Sequence, residues 1–285
     1  MLVKQFREFT LASGVVFKGL STKREPLTGD GQLIYPDGSI YVGQIRKGLP
    51  HGHGEKIWSD VTDPHSLSAQ SSKNNIAQND ALSERDFQKT YKGNWLHGKM
   101  EGFGELTMQE GEVYIGNFKN GYPNGQGIRK WPNGDFYEGQ YANGYQTGVG
   151  LFLSQDQGWK YEGEWQAGKM DGEGTCQWRD GTSYTGTWKN CLKEGQGVLT
   201  YGDGSKVEDS FAGDYPDGRG TKTFPDGSVY RGGLTQGLFH GHGKYKQPVD
   251  GSEYTGNWVK NEMKGEGVKK LKWGKVEIGG NFNNG

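Results

Sequence analysis

The chain is poor in the material of a thick globular core. Only 31% of its 285 residues are hydrophobic, which leaves too little apolar surface for an ordinary two-layer interior. Cysteine is scarce: Cys176 and Cys191 are the two in the chain. They supply neither a disulfide framework nor a zinc ligand set, and fit a reducing cytosolic compartment. Net charge is nearly absent, with 33 Lys and Arg against 34 Asp and Glu, so the basic stripe that a nucleic acid requires is missing. The run from Lys260 to Lys275 is locally basic and reads as a solvated end. No signal peptide or apolar stretch of roughly 20 residues is visible, so the sequence predicts neither secretion nor a membrane span.

What is abundant is glycine, at 51 positions, with aromatics at 13%. Their distribution is periodic. "YKGNWLHGKMEGFGELTMQEGEV" from Tyr91 is followed 23 residues later by "YIGNFKNGYPNGQGIRKWPNGDF" from Tyr114. "YEGEWQAGKMDGEGTCQWRDGTS" from Tyr161 and "YTGTWKNCLKEGQGVLTYGDGSK" from Tyr184 repeat the pattern. Counting the first residue as zero, the unit carries an aromatic at 0, Gly at 2, an aromatic at 4 and Gly at 7. Gly returns at 11 and 13, apolar residues near 15 and 17, and Gly near 20. Units start at Phe17, Tyr41, Tyr91, Tyr114, Tyr137, Tyr161, Tyr184, Val207, Tyr230 and Tyr254, with a closing half-unit at Ile278 and an opening half-unit before Phe17. Such self-similarity decides the architecture before any motif is weighed.

Within each unit, positions 0–5 and 11–17 alternate with period two, the mark of two short strands, and the glycine at 7 permits the turn between them. Tyr161, Gly163 and Trp165 are expected on one face, together with Gly172, Gly174, Cys176 and Trp178; Glu162, Glu164, Asp171, Glu173 and Thr175 are expected on a wet opposite face. The predicted fold is all-β: an elongated single-layer antiparallel sheet of about ten tandem β-hairpins, a twisted trough-like ribbon advancing roughly 9.5 Å per hairpin. Cys191 at position 7, and Asp209 and Asp214 in the Val207 unit, replace expected glycines and predict a local change of twist.

The repeat resembles the MORN family, named for membrane occupation and recognition nexus. The resemblance covers roughly residues 6–285, arranged as repeats in 6–58, a polar inserted loop in 59–90, and a continuous array in 91–285 that ends on a half-repeat. The inserted loop reads as a surface segment, with a docking or phosphorylation segment as the alternative. The resemblance implies elongated single-layer sheets of hairpins and a non-enzymatic scaffold in the cytoplasm, structural in a ciliary or flagellar axoneme such as a radial spoke. The alternatives are a non-ciliary cytoskeletal adaptor and a peripheral membrane tether for anionic phospholipids. Near-zero charge disfavours the tether, and Lys269, Lys270, Lys272 and Lys275 are its support.

A single layer leaves its aromatic face without a second layer, so rings are expected to bind a partner as well as to pack. The expected partner-binding residues are Tyr91, Trp95, Tyr114, Phe118, Trp131, Tyr137, Tyr141, Tyr161, Trp165, Trp178, Tyr184, Trp188, Tyr201, Tyr230, Tyr254 and Trp258. The expected partners are other proteins: a helix or peptide in the trough, strand addition at the ends, a large assembly or a homodimer. No nucleic acid, cofactor, metal or catalytic residue is expected.

Three motifs that hint at chemistry dissolve into the repeat. "GNWLHGKM" and "GEWQAGKM" approach the phosphate-cradling loop but place Met100 and Met170 where a hydroxyl would hold magnesium. The Gly-x-Gly pairs lack the third glycine of a dinucleotide site. "HGHG" occurs at His51 and His53 and again at His240 and His242. Both copies fall at positions 10 and 12, and seven hairpins, roughly 65 Å, separate them, too far for one ion.

Overall fold

The computed structural model describes residues 3–59, 88–108, 110–271 and 276–282. Its described secondary structure consists of β-strands joined by turns, from Gln5–Thr10 to Val276–Phe282. Two compact units divide the chain: Met1–Asp156 with Gln166–Gly168, and Gln157–Trp165 with Lys169–Gly285. In the first unit, each strand from Gln5–Thr10 to Tyr145–Ser154 pairs antiparallel with the next one in sequence. In the second, the same order runs from Lys169–Trp178 to Val276–Phe282. The predicted all-β antiparallel hairpin array is thus the fold.

Most of the polar insert, residues 60–87, lies outside the described residues, and so do Lys272, Lys275 and the terminal 283–285. The strands that flank the insert pair directly, with Gly54 opposite Gly93 and the Trp58 N–H donating to Lys89 O at 3.0 Å. The repeat array therefore continues past the insert without a break. The strand after it begins at Gln88, inside the span expected to be loop.

The register shows what the glycines do. Gly19, Gly31, Gly43, Gly54, Gly93, Gly104, Gly116, Gly127, Gly139 and Gly150 face one another across successive strands of the first unit, forming an unbroken line. In the second unit Gly174, Gly186 and Gly197 do the same, as do Gly220, Gly232, Gly243, Gly256, Gly267 and Gly279. This line is the floor on which the position-0 tyrosines lie flat. A Cβ built on Gly174 would sit 2.5 Å from Cε2 and Cζ of Tyr161, and one on Gly163 would sit 2.6 Å from its hydroxyl. Only a residue without a side chain lets the ring come this close.

Each ring is then pinned at its far end. Tyr161 O–H donates to Glu164 O at 3.0 Å, Tyr91 to Asn94 O at 3.0 Å and Tyr230 to Gly233 O at 2.8 Å. The accepting carbonyl lies three residues along the same strand, at or beside the point where the register with the next strand slips, between Gly93 and Trp95 in the Tyr91 unit. Slippage leaves that carbonyl without a ladder partner, and the phenol satisfies it.

This slip corrects one expectation. Gly172, at position 11, does not join Gly174 on the aromatic face: it has φ +112°, and a Cβ on it would collide with Glu164 Oε2 on the opposite face. Position 11 is a β-bulge, and the strict alternation predicted for positions 11–17 begins after it.

From the Tyr41 unit to the Tyr254 unit, the turn within each hairpin places both central residues at positive φ, as in His97 and Gly98 at 50° and 82° or Asn120 and Gly121 at 53° and 95°. That is the primed two-residue turn whose twist matches the strands. Cys191 replaces the turn glycine, yet it adopts φ 68° beside Asn190 at 49°. The turn is kept, and the backbone bears the strain of a side chain in the left-handed region.

The other departure is deeper. In the Val207 unit, Asp209 stands opposite Gly197 and interrupts the glycine line. Val207 takes the place of the tyrosine, and Asp209 fills the vacated space: a Cβ on Gly220 would meet Asp209 Cβ at 2.6 Å, where other units show a tyrosine ring. Asp209 is 4% exposed. One carboxylate oxygen accepts from Ser210 N at 2.7 Å, and the other is buried without a hydrogen-bond partner.

Gly174→Ala destabilises the chain by about 1–3 kcal/mol in chemical denaturation, because the ring of Tyr161 must lift, whereas Cys191→Gly stabilises it by about 0.5–1 kcal/mol. For Asp209, burial, aided by the nearby Asp217, pushes the carboxyl above its ordinary range. A raised folded-state pKa gives a contribution fully present below the unfolded value and lost as pH rises through the folded one. Asp209→Asn therefore gains most over the natural chain at neutral pH, and the gain shrinks as pH falls toward 4, as read from denaturation midpoints across pH.

Candidate functional site: a half-buried row of rings and cations

Thirteen of the sixteen aromatics expected to bind a partner are core residues. Tyr91, Tyr114, Tyr137, Tyr161, Tyr184 and Tyr230 are 0% exposed, and Trp95, Phe118, Tyr141, Trp165, Trp188, Tyr254 and Trp258 are 2–6% exposed. They form edge-to-face ladders. Tyr91 meets Trp95 and Phe118, each at 5.0 Å between centroids. In the second unit Tyr161 meets Trp165 at 5.3 Å and Trp188 at 5.4 Å, and Tyr184 meets Trp188 at 5.1 Å. The position-4 indoles also donate to the preceding hairpin, as Trp95 Nε1 does to Gly54 O and Trp188 Nε1 to Gly174 O, both at 3.1 Å. Such edge-to-face pairs add roughly 0.5–1.5 kcal/mol each beyond the area they bury.

These rings leave no surface for a partner, and for them the binding role is corrected to packing. The physical reason is depth: the glycine floor lets position 0 sink into the backbone, and position 4 then closes over it. Burial also pushes the phenols of Tyr41, Tyr184 and Tyr230 up to about 12. It pushes the Cys176 thiol to about 12 as well, so that sulfur stays protonated at neutral pH.

The three remaining rings, Trp131, Trp178 and Tyr201, are half-buried. All stand at position 17, where a strand runs into the turn between hairpins. Tyr35, Trp58 and Phe224 occupy the same place at the end of their units and are half-buried too. Each of these rings has a cation beside it. Lys56 Nζ sits 4.4 Å from the Tyr35 centroid and 4.8 Å from that of Trp58. The Arg129 guanidinium lies 4.8 Å over Trp131 and pairs with Glu112.

In the second unit, Lys193 Nζ lies 5.4 Å from the Trp178 centroid and Lys222 Nζ lies 5.8 Å from Tyr201 and 5.2 Å from Phe224. Lys193 also holds Asp214 at 3.2 Å. Trp178, Arg179, Lys193, Leu199 and Tyr201 line an open pocket there, together with Gln157, Asp180 and Thr182. Chemically this is an alternation of flat apolar faces and positive charge. It can take apolar side chains against the rings while carboxylates approach the ammonium groups.

The opposite face is less wet than the alternation implied. Phe103 and Val149 are each 59% exposed on it, and Ile115 stands opposite Ile128. Nearer the start of the chain, Phe6, Leu20 and Val42 line a shallow groove with Lys18, Asp30, Gln44 and His53. Among the described residues, no group of three or more His, Cys, Asp or Glu could hold a metal ion, and no helix is long and apolar enough to cross a membrane.

Serial two-strand hairpins with glycine-seated tyrosines define a β-hairpin repeat protein, a repeat-based scaffold in its architecture. Nine segments, residues 41–60, 91–113, 114–136, 137–159, 161–183, 184–206, 210–229, 230–250 and 254–276, match the family model of the MORN repeat. Together they cover more than half of the sequence, and the chain belongs to the MORN repeat family.

Alsin from Rattus norvegicus and Alsin from Mus musculus are each 34% identical to it over 86 residues, which is 30% of this chain. The match spans 4% of the length of either relative. Among solved structures, the SAS-4 (dCPAP) TCP domain of Drosophila melanogaster, in complex with a proline-rich motif of Ana2, is 17% identical. That likeness covers 54% of this chain and 83% of that one, with a TM-score of 0.35. The TCP10 domain of Danio rerio CPAP, in complex with a STIL peptide, is 13% identical and covers 96% and 98%, with a TM-score of 0.23. Likeness at these scores carries no argument about this chain's partners.

The division between packing rings and surface rings is testable by substitution. Trp188→Ser is expected to cost about 3–5 kcal/mol in chemical denaturation. Trp178→Ser, at a half-buried ring, is expected to cost less than half as much in the same measurement.

Proposed function

We propose that the chain is a non-enzymatic scaffold that binds a protein segment along its half-buried row of rings and cations. The observation that carries this reading is the alternation of Trp178, Lys193, Tyr201, Lys222 and Phe224 along neighbouring hairpins of one unit. An extended or helical peptide with apolar and acidic side chains matches that alternation. Within cells, the family resemblance supports a structural place in a ciliary or flagellar axoneme, such as a radial spoke, with a cytoplasmic cytoskeletal adaptor as the broader form of the same role.

The membrane-tether reading draws on the lysines near the end of the array. Lys270 lies 3.9 Å from Glu253, and Lys244 holds the same carboxylate at 2.7 Å. Part of that charge is therefore neutralised within the sheet, which favours the protein-binding reading over attraction to anionic lipid.

Affinity capture from ciliated cells tests the reading. The paired substitution Trp178→Ser with Lys222→Glu is expected to reduce recovery of co-purifying proteins at least tenfold, while Phe103→Ser on the opposite face leaves it unchanged. Equal recovery by the folded double variant would remove the ring row as the binding surface. Sedimentation with anionic vesicles is expected to show no salt-sensitive binding, and strong binding would instead favour the tether.

A further inference from the structure

The array brings together two histidines that the sequence keeps apart. In four hairpins a side chain at or next to position 10 accepts the N–H at the tip of the next hairpin's turn. Thr28 Oγ1 accepts from Lys47 N at 3.1 Å, Glu101 from Asn120 N at 2.9 Å, Asp171 from Asn190 N at 3.1 Å and Glu194 from Gly213 N at 3.3 Å. Where the insert separates the Tyr41 and Tyr91 units in sequence, position 10 is His51 and the tip residue is His97. Their ring centroids are 5.6 Å apart, with planes tilted by 54°. Nδ1 of His51 is buried and has no hydrogen-bond partner. Here a neighbouring imidazole stands where those four hairpins have an accepted N–H.

We propose that His51 and His97 together bind a borderline divalent transition-metal ion, of which Zn²⁺ is the representative. Imidazole nitrogens are the donors such ions favour over Ca²⁺ or Mg²⁺. With metal–nitrogen bonds of about 2.1 Å at a tetrahedral angle, two imidazole centroids lie about 5 Å apart, somewhat closer than the 5.6 Å found. His97 is exposed on a turn whose backbone, at φ 50°, is fixed by the hairpin, so its ring can swing to close that difference. The described residues offer no third His, Cys, Asp or Glu, and the site is therefore open, with water completing the coordination.

The second HGHG lacks this partner. His240 is at position 10 of its unit, but the next tip is Lys260 with Asn261, and Asn261 Oδ1 accepts the Phe239 N–H at 2.8 Å. A cation at the tip repels a metal ion, and His240 and His242 are both exposed. One copy of the motif is therefore a site and the other is not.

The test is a calorimetric titration of the full chain with Zn²⁺, repeated in excess Ca²⁺. Asn is the substitution of choice, because Asn120, Asn143 and Asn190 already hold the tip position at positive φ and Asn124 holds position 10. One Zn²⁺ per chain is expected. His97→Asn or His51→Asn should weaken binding at least tenfold, while His240→Asn with His242→Asn, or added Ca²⁺, leaves it unchanged. As a second readout, Ni²⁺ should broaden the imidazole proton resonances of His51 and His97 ahead of those of His53, His240 and His242. Absence of Zn²⁺ binding by the folded natural chain would overturn the proposal. So would undiminished affinity in a folded His97→Asn chain, or Ni²⁺ broadening that does not single out His51 and His97.

Discussion

The structure depends on one contact, the flat seating of a tyrosine ring on a pair of facing glycines. A single-layer sheet has no opposite layer to cover its apolar side, and this chain answers by burying the ring against its own backbone. Gly163 and Gly174 leave room for Tyr161, the phenol takes up the carbonyl of Glu164, and Trp165 and Trp188 close the ring from either side. Remove the glycines and the ring stands up; remove the ring and a carbonyl is left unpaired beside an open groove. The bulge at position 11 belongs to the same device, because it frees the carbonyl that the phenol needs.

Much of this was legible in the sequence. The 23-residue spacing, the period-two alternation and the glycine at 7 foretold strands, hairpins and their order, because each rests on local backbone geometry. Depth was not legible. Alternation says which face a ring shares and nothing of how far it sinks, so Tyr161 and Trp188 are expected to bind a partner as well as to pack, whereas both are buried in the core. Period-two alternation describes a straight strand and so puts Gly172 on the aromatic face, yet a glycine that returns at position 11 next to polar as well as apolar neighbours is the sign of a backbone role. The neighbourhood of His51 and His97 was hidden by the insert, which lengthens the sequence between adjacent hairpins without separating them.

The proposed binding surface follows from what the core leaves over. Once positions 0 and 4 are consumed by packing, the half-buried position-17 rings at the strand ends are among the apolar groups left on that face, each beside a lysine or arginine. A cation next to a half-buried ring keeps an exposed aromatic soluble and biases the surface toward acidic partners. The departures gather in one place as well: the Val207 unit lacks the ring, breaks the glycine line at Asp209, and completes its hairpin with only the two-residue strand Tyr215–Pro216 and Gly218–Thr223.

In a repeat array each hairpin is held mainly by its neighbours, so local opening reports local packing. Amide hydrogen exchange, resolved by hairpin, therefore tests the central claim most directly. If ring seating on glycine holds the sheet together, protection is high in the strands that carry a seated tyrosine and falls to its minimum across residues 206–223. Uniform protection through that hairpin, or a minimum within the Tyr114 and Tyr137 units, would contradict the account.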